Sequence, residues 1–474
     1  MGIPSYFSYI LKYHHKIIKR LSQHRCDQLY IDANSIIYDI VNENTDNIYE
    51  DVYNRILFII NKLKPEFTYV AFDGVVPLAK MKQQKQRRYK SWLTKQILHT
   101  NNKWNTNAIT PGTIFMNELD EYLKIKFNTP DIKFSGSKED GEGEHKITEY
   151  LRKNQTNKNV MIYGLDADLI MLGLLNIQYN SNTYLYRETK HFTYLNNIDP
   201  NIDYIFNMNE MATQISELLH LEKQKAIENY CFMCFLFGND FMPHFPSLNI
   251  RNSGIPYLIE TFTNLNINLV NGIHIDWTGF KKLCIALSLH ESERIIENVK
   301  WKQQLKSSPL NKEDELNILP IKDFERELYI SVHLDKYYNV FFGQSEENPC
   351  TNYLKMLEWT WSYYNGVCKD YYLCYEFNLA PLFKSIINYI PCFNEELVTN
   401  NYNVKPHILS QLIYVLPYTD YSLIPIDTTD VTHKFPHLKE MNNKVYYDFC
   451  KYFWESHVEF KYVSLKELNL YLHK

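Results

Sequence analysis

The chain has 474 residues, 45% of them apolar and 22% charged, the balance of a folded globular protein with room for two or more domains, which excludes a disordered tail. Its net charge of −5 excludes a protein that coats nucleic acid with its whole surface, so any nucleic-acid site must be local. No apolar run reaches the length of a membrane span, and the N-terminus carries no signal peptide. The expectation is a soluble protein that makes no membrane contact, cytoplasmic with the nucleus not excluded. "MGIPSY" opens like a myristoylation site but has Tyr6 where Ser or Thr is wanted. The nine cysteines are scattered without paired zinc spacing, so Cys231 and Cys234, inside "YCFMCFLFG", read as buried helix thiols in a reducing compartment.

In chain order, "QLYIDAN" has the length and residue types of a buried strand and stops at Asp32. Residues 51–63 have helical apolar spacing, and "TYVAFDG" is a second strand, stopping at Asp73. Residues 131–136, "DIKFSG", make another strand candidate and lead into the acidic loop "SKEDGEGEHKI"; "NVMIYGLDAD" follows and delivers Asp166 and Asp168. This alternation predicts an α/β fold, a mostly parallel central sheet flanked by helices. Sites in such sheets form beyond the carboxyl ends of the strands. From about residue 205 the chain reads as helical, and "KAIENYCFMCFLFGNDFMPHFPSL" as an apolar helix closing in a Gly-Asn-Asp turn. The division expected is a first domain over 1–298, a polar linker or surface excursion over 299–350, and a helical, aromatic-rich region over 351–474.

Asp32, Asp73, Glu142, Glu144, Asp166, Asp168 and Asp240 all stand at element ends. So many acids at one sheet edge repel one another unless cations neutralise them, and carboxylate oxygens suit hard Mg²⁺ or Mn²⁺. Two such ions about 4 Å apart clamp the attacking water and the leaving oxygen of a phosphodiester. The chemistry suggested is metal-dependent phosphodiester hydrolysis. Zinc is the weaker option, since His145 has no second histidine or cysteine at ligand spacing.

From Gly74 to Asn117 there is no acid, while "FDGVVPLAKMKQQKQRRYK" alone carries six lysines and arginines beyond Asp73. On a helix Lys80, Gln84, Arg87 and Arg88 share one face. Guanidinium forks with an ammonium suit a terminal phosphate. A generic nucleic-acid-facing helix uses the same electrostatics and stays open. Lys82, Lys85 and Lys90, off that face, read as backbone steering or solvent-exposed charge.

These blocks, together with "NAITPGTIFM", "FSGSKEDGEGEHKI", "YGLDADLIMLGL" and "FMCFLFGNDFMPHFPSLNIR", resemble in order the N-terminal region of the Xrn/Rat-type 5′→3′ exoribonucleases. "LEWTWSYYNGV", "LAPLF" and "LSQLIYVLP" resemble that family's second region, so the likeness covers nearly the whole chain. The resemblance implies a PIN/flap-nuclease-like fold whose second region packs on the first and completes the pocket. It implies that the seven acids hold two Mg²⁺ (or Mn²⁺) ions and that Lys80, Gln84, Arg87 and Arg88 bind the 5′-monophosphate of single-stranded RNA. It also implies stepwise release of 5′-mononucleotides in RNA decay, by a monomer.

Two departures stand out. Tyr38 occupies the place of the family's stacking histidine, and "DYYLCYEFNLAP" replaces its tryptophan-rich segment, leaving Tyr371 or Tyr372 for the second stacking position. The chain stops where cellular members continue into large extensions, as expected of a compact core of viral or reduced-genome type. Two alternatives are weighed against this reading. A flap-type DNA nuclease would follow its Gly-x-Asp turn with a glycine-rich hairpin, whereas "NIRNSGIPYLIETF" has one glycine; a silent RNA-binding scaffold would tolerate loss of acids, and none is lost.

Overall fold

The computed structural model describes residues 2–43, 46–98, 104–164, 167–188, 199, 201–305, 324–399, 404–441 and 444–473. Its main sheet comprises β1 (Ile18–Arg20), β2 (Gln28–Asp32), β3 (Phe67–Ala71), β4 (Ile132–Ser135), β5 (Thr156–Tyr163), β6 (Asn180–Arg187) and β7 (Tyr204–Asn207), in the order β1-β7-β6-β5-β2-β3-β4. β2 and β3 each bury four of five residues, as strands covered on both faces must. They run parallel with Asp32 opposite Ala71, and β5 lies parallel on the other side of β2 with Tyr163 opposite Ile31. The chain order therefore reverses at β2. A crevice opens at such a switch point beyond the carboxyl ends of the strands.

Successive residues of β2 point to opposite faces. Leu29 and Ile31 join a core with α2 (Asn34–Asn42), α3 (Ile48–Leu63) and α5 (Ile114–Lys126), through Ile37, Ile56 and Leu119 among others. Tyr30 faces a larger core, built from α6 (Gly143–Lys153), α7 (Asp168–Asn176), α8 (Met208–Leu219), α9 (Lys223–Phe235) and the long aromatic helix Glu347–Tyr364. Trp359 and Trp361 of that helix are fully buried against Phe241 and Phe232, so the first and last parts of the chain share one core. Around residues 299–350 the chain is helical where it is described: a helix ends at Gln304, and helices Phe324–Val332 and Tyr337–Phe341 bury Ile330 and Tyr337 in the same core.

The basic strip is helix α4 (Leu78–Leu98). Val75, Val76 and Met81 pack against Leu412, Ile413, Leu416 and Leu465 in a separate core with the C-terminal part of the chain. Gly74, which leads into α4, cannot carry a side chain, because a Cβ there would overlap the carbonyl of Glu139. β1, β6 and β7 lie outside the sequence expectation. β7 is antiparallel to both β6 and β1, so the parallel sheet ends in an antiparallel edge.

Candidate active site

Strand and helix ends gather the acids. Asp32 is the last residue of β2 and is 8% exposed, and Asp73 follows β3 by two residues. Glu142 stands at the N-cap position of α6 and Glu144 in its first turn, at 2% and 5% exposure, where the helix N-terminus favours negative charge and the Gly143 N–H donates to Asp73 Oδ1 at 2.8 Å. Asp168 opens α7 at 2% exposure, and Asp240 lies in the turn after α9. Asp166 lies outside the described residues.

A cavity of about 320 Å³ holds the two predicted sets together. Asp32, Asp73, Glu142 and Glu144 line it, and so do Lys80, Gln84, Arg87, Arg88 and Tyr38. The other two acids connect through neighbours. Lys80 Nζ donates to Asp240 Oδ2 at 2.7 Å and pairs with Glu142, while the Gly2 N–H donates to Asp240 Oδ1 at 3.2 Å. A Cβ on Gly2, whose φ is +57°, would overlap the Asp168 carboxylate, so backbone passes directly against this acid. Gly143 is equally constrained, since a Cβ would stand 2.7 Å from Asp32 Oδ1.

Electrostatics at the site are uneven. Burial alone would discharge Lys80, but Asp240, Glu142, Glu144 and Asp168 surround it and hold its pKa well above the ordinary value. Burial pushes Glu142 up, and Lys80 only partly offsets this. Asp240, also buried, is held below the usual carboxylate range by Lys80. Burial, then Lys80 and Arg152, drives His145 well below its ordinary value, so its imidazole is neutral. Glu142, Glu144 and His145 each offer a ligand atom within 4.8 Å of the others.

On the basic wall, the four residues differ. Arg88 is buried, with Nε donating to Thr110 Oγ1 at 2.8 Å and Nη1 to the Gln84 carbonyl at 3.2 Å; burial lowers its pKa to about 10. Gln84 is buried with Oε1 lacking a hydrogen-bond partner. Arg87 is exposed and has no hydrogen bond or ion pair among the described residues. Lys80 belongs to the acids as much as to this wall.

Residues 1–189 match the family described as the XRN 5'-3' exonuclease N-terminus, and residues 220–317 the one described as the Xrn1 helical domain. The chain belongs to the Xrn family. Among curated proteins, the 5'-3' exoribonuclease 1 of Homo sapiens is 31% identical over 366 residues, covering 64% of this chain and 21% of that protein. The 5'-3' exoribonuclease 1 of Saccharomyces cerevisiae is 30% identical, covering 55% of this chain and 20% of its own. The 5'-3' exoribonuclease 2 of Eremothecium gossypii is 27% identical over 406 residues, 65% of this chain and 42% of that one. The matched part therefore spans between 20% and 42% of these relatives' length. Among solved structures, the catalytic core of Rad2 in complex with DNA substrate matches with a TM-score of 0.35 and 15% identity, over 70% of this chain and 85% of that chain. No helix among the described residues is long and apolar enough to cross a membrane.

Several residues of this Xrn-family site were not singled out from the sequence. Asn34 holds Asp73 twice, donating from Nδ2 to Oδ2 at 2.6 Å and accepting from the Asp73 N–H at 3.1 Å. Its place two residues after Asp32, opening a helix, was the available signal. Thr110 of "NAITPG" fixes Arg88. Tyr363 donates to Glu142 Oε1 at 3.0 Å and lies 4.1 Å from the His145 ring, with nothing local in the sequence to mark it. Lys146 donates to the carbonyls of Phe72 and Gly136 at 2.7 and 2.8 Å, bracing the loops on either side of the acids. Of the stacking candidates, Tyr38 lines the cavity; Tyr371 stands apart, its carbonyl accepting from the Leu78 N–H and its ring facing Lys405, and Tyr372 packs against the core that holds Val75, Val76 and Leu412.

Of Lys82, Lys85 and Lys90, Lys85 is buried where solvent exposure was one expectation, while Lys82 and Lys90 are half-buried and held by backbone carbonyls. Lys82 donates to the Tyr375 carbonyl at 2.6 Å, and Lys90 to those of Trp454 and Ser456 at 2.7 and 3.0 Å. Lys85 is buried among the rings of Tyr414, Phe460 and Tyr89. Tertiary partners distant in sequence took them.

Proposed function

We propose that this chain is a 5′→3′ exoribonuclease that hydrolyses single-stranded RNA bearing a 5′-monophosphate, one 5′-mononucleotide at a time, in RNA decay. The observation that carries the reading is a single cavity lined both by carboxylates and by Lys80, Gln84, Arg87 and Arg88. The donor set fits hard divalent cations. It is made of carboxylate oxygens, mostly buried, and Lys80 is the one ammonium in contact with them among the described residues. Asp32, Asp73, Glu142, Glu144, Asp166, Asp168 and Asp240 would hold two Mg²⁺ or Mn²⁺ ions. Bound there, such ions supply an activated water near neutral pH and stabilise charge on the scissile phosphate and its leaving oxygen.

The chain's own residues do the rest. Arg87, exposed and unpaired, is free to take up the 5′-phosphate, while Arg88, anchored by Thr110, and Gln84 set the wall it rests against. Tyr38 stacks on the leading base, an interaction worth roughly 1–3 kcal/mol. Tyr363 and Asn34 orient Glu142 and Asp73 by hydrogen bonds.

The test compares end groups. Purified protein with Mg²⁺ should degrade 5′-monophosphorylated single-stranded RNA and leave the 5′-hydroxyl and capped forms intact. Equal decay of all three would defeat the pocket assignment.

A further inference from the structure

Helix α4 has a second concave neighbour. Lys80, Gln84, Arg88 and Ser91 face the acid-lined cavity, whereas Lys82, Gln83, Gln86 and Lys90 face another, of about 300 Å³. Arg87 lines both. Asp240 and Gly2, which touch each other at the acid site, lie in the wall of the second cavity as well. The two spaces therefore meet at one free guanidinium and one end of the acidic cluster.

The second cavity has the character of a small-molecule site. Its volume is at the low end of the range for such sites, roughly 300–1,000 Å³, and its walls are mainly apolar. Phe241, Tyr375, Phe377 and Trp454 supply flat aromatic surface. The charged side chains without an ion-pair partner are positive, although Asp240 acts on Arg87 and Glu455 on Lys90 at longer range, and burial lowers Lys90 to about 8, which leaves it mainly charged at neutral pH. Lys82 and Lys90 donate only to backbone carbonyls, and neither they nor Arg87 has an ion pair with a carboxylate among the described residues. The acids in the wall are already engaged: Asp240 by Lys80, Asp448 by Arg326, and Glu455 by the N–H groups of Lys451 and Tyr452. His244 and His457 also line it, held neutral with pKa values near 3 chiefly by burial, so neither adds positive charge near neutral pH. An aromatic surface beside unpaired cations selects a planar ring that carries an anion.

We propose that this second cavity binds a nucleoside 5′-monophosphate, with the base on the aromatic wall and the phosphate at Arg87 and the Lys82 and Lys90 ammonium groups. The source of the ligand rests on the exoribonuclease reading, in which a mononucleotide is released beside Arg87. Arg87 then contacts the phosphate on either side of α4, and the cavity receives the product as the shortened RNA re-enters the first site.

The experiment is calorimetric titration of the full chain with 5′-AMP, without RNA and without metal. Two sites per chain are expected. Asn378→Trp and Leu379→Trp, at the lining of the second cavity and outside the acid and phosphate machinery, should each abolish one site while leaving the initial rate on 5′-phosphorylated RNA within about twofold of the parent. Asn378 is exposed, so that variant tests the idea even if the Leu379 variant fails to fold. At the site those variants remove, 5′-AMP should bind at least about tenfold more tightly than ribose 5-phosphate, because the base stacks. A single site abolished by the variants would also support the proposal. Stoichiometry unchanged in folded variants, or equal affinity for the two ligands, would overturn it. Since binding is read without turnover, a chain that binds 5′-AMP here but leaves RNA intact would refute the proposed activity and not the site.

Discussion

Replacing Arg87 with alanine removes the one guanidinium of the strip that is exposed, lines the acid cavity and has no described partner. A hydrogen bond to a charged group contributes about 1.5–3 kcal/mol, and each 1.4 kcal/mol is a factor of ten. The KM for 5′-monophosphorylated RNA should therefore rise about 10- to 150-fold, while 5′-hydroxyl RNA, which never offered the phosphate, should be cut as poorly as before. Stability should stay within about 0.5 kcal/mol of the parent, as for other exposed positions without partners. Arg88→Ala is the contrast. It removes the charged donor to the Thr110 hydroxyl, which keeps only its bond to the Asn107 carbonyl, at a cost of about 1–3 kcal/mol of folding stability in addition to any loss of rate. The assay is initial rate against concentration for both RNAs, with a denaturant melt of each variant. If Arg87→Ala slows both RNAs by the same factor, or destabilises as much as Arg88→Ala, the division of labour between these neighbours is wrong.

Asp32→Asn, which removes one charge from the buried edge of β2, should lower the hydrolysis rate at least about a hundredfold with RNA binding retained in a gel-shift assay; an active variant would remove Asp32 from the metal set. Gly2→Ala should cost at least about tenfold in rate, because the new Cβ displaces Asp168, and a metal titration shifted to higher Mg²⁺ would locate the damage; unaltered titration and rate would show that the N-terminal segment can yield. Lys85→Met probes a buried ammonium whose pKa burial lowers to about 8, against about 10.4 in the unfolded chain. Between those values the unfolded chain holds the extra proton, so the parent gains stability as pH rises from 8 to about 10.4, and the full penalty applies below 8. That penalty is on the order of 3 kcal/mol, so the variant should be more stable than the parent at pH 7 by up to about 3 kcal/mol, and the advantage should vanish above about pH 10. Thermal melts at both pH values check it, and a loss at pH 7 would mean that the rings outweigh desolvation.

How much of this was legible depended on where each residue's partner lies. β2, β3 and β5 could be read because strands buried on both faces are continuous apolar runs, and the first two stopped at Asp32 and Asp73, which line the cavity. β6 opens with Asn180, Ser181 and Asn182, and β1 and β7 have three and four residues, so none gave a run long enough to see. The face shared by Lys80, Gln84, Arg87 and Arg88 followed from helical spacing alone. That Lys80 would spend its ammonium on Glu142 and Asp240 did not, since the pairing spans 62 and 160 residues and appears only when the sheet edge meets α4. Tyr363 was hidden in the same way, its hydroxyl reaching Glu142 from 221 residues away on a helix that reads simply as aromatic core.

Those long-range bonds explain why an acid-lined edge made by the first half of the chain comes with so much protein behind it. α4 has no acid to brace it locally, and its charges would repel one another if they all faced the same way. The later chain distributes them. The carbonyl of Tyr371 accepts from the Leu78 N–H, the Gln411 side chain bridges the Val76 N–H and the Gly74 carbonyl, and Tyr375 takes Lys82. Further along, Gln86 exchanges two hydrogen bonds with the backbone of Val458, at 2.9 and 2.8 Å, as a neighbouring strand would. Each bond fixes the helix from a side that does not face the acids, leaving Gln84, Arg87 and Arg88 presented to the cavity that Asp32, Asp73, Glu142 and Glu144 also line. Because misplacing a reacting group by about 1 Å can cost a hundredfold in rate, a distance set between two walls is only as good as the bracing of the less rigid one. In this chain Asp32 and Asp73 are held at the sheet edge, and the basic helix is braced by Thr110 at Arg88 and by residues 371 to 458, which contribute none of the acids.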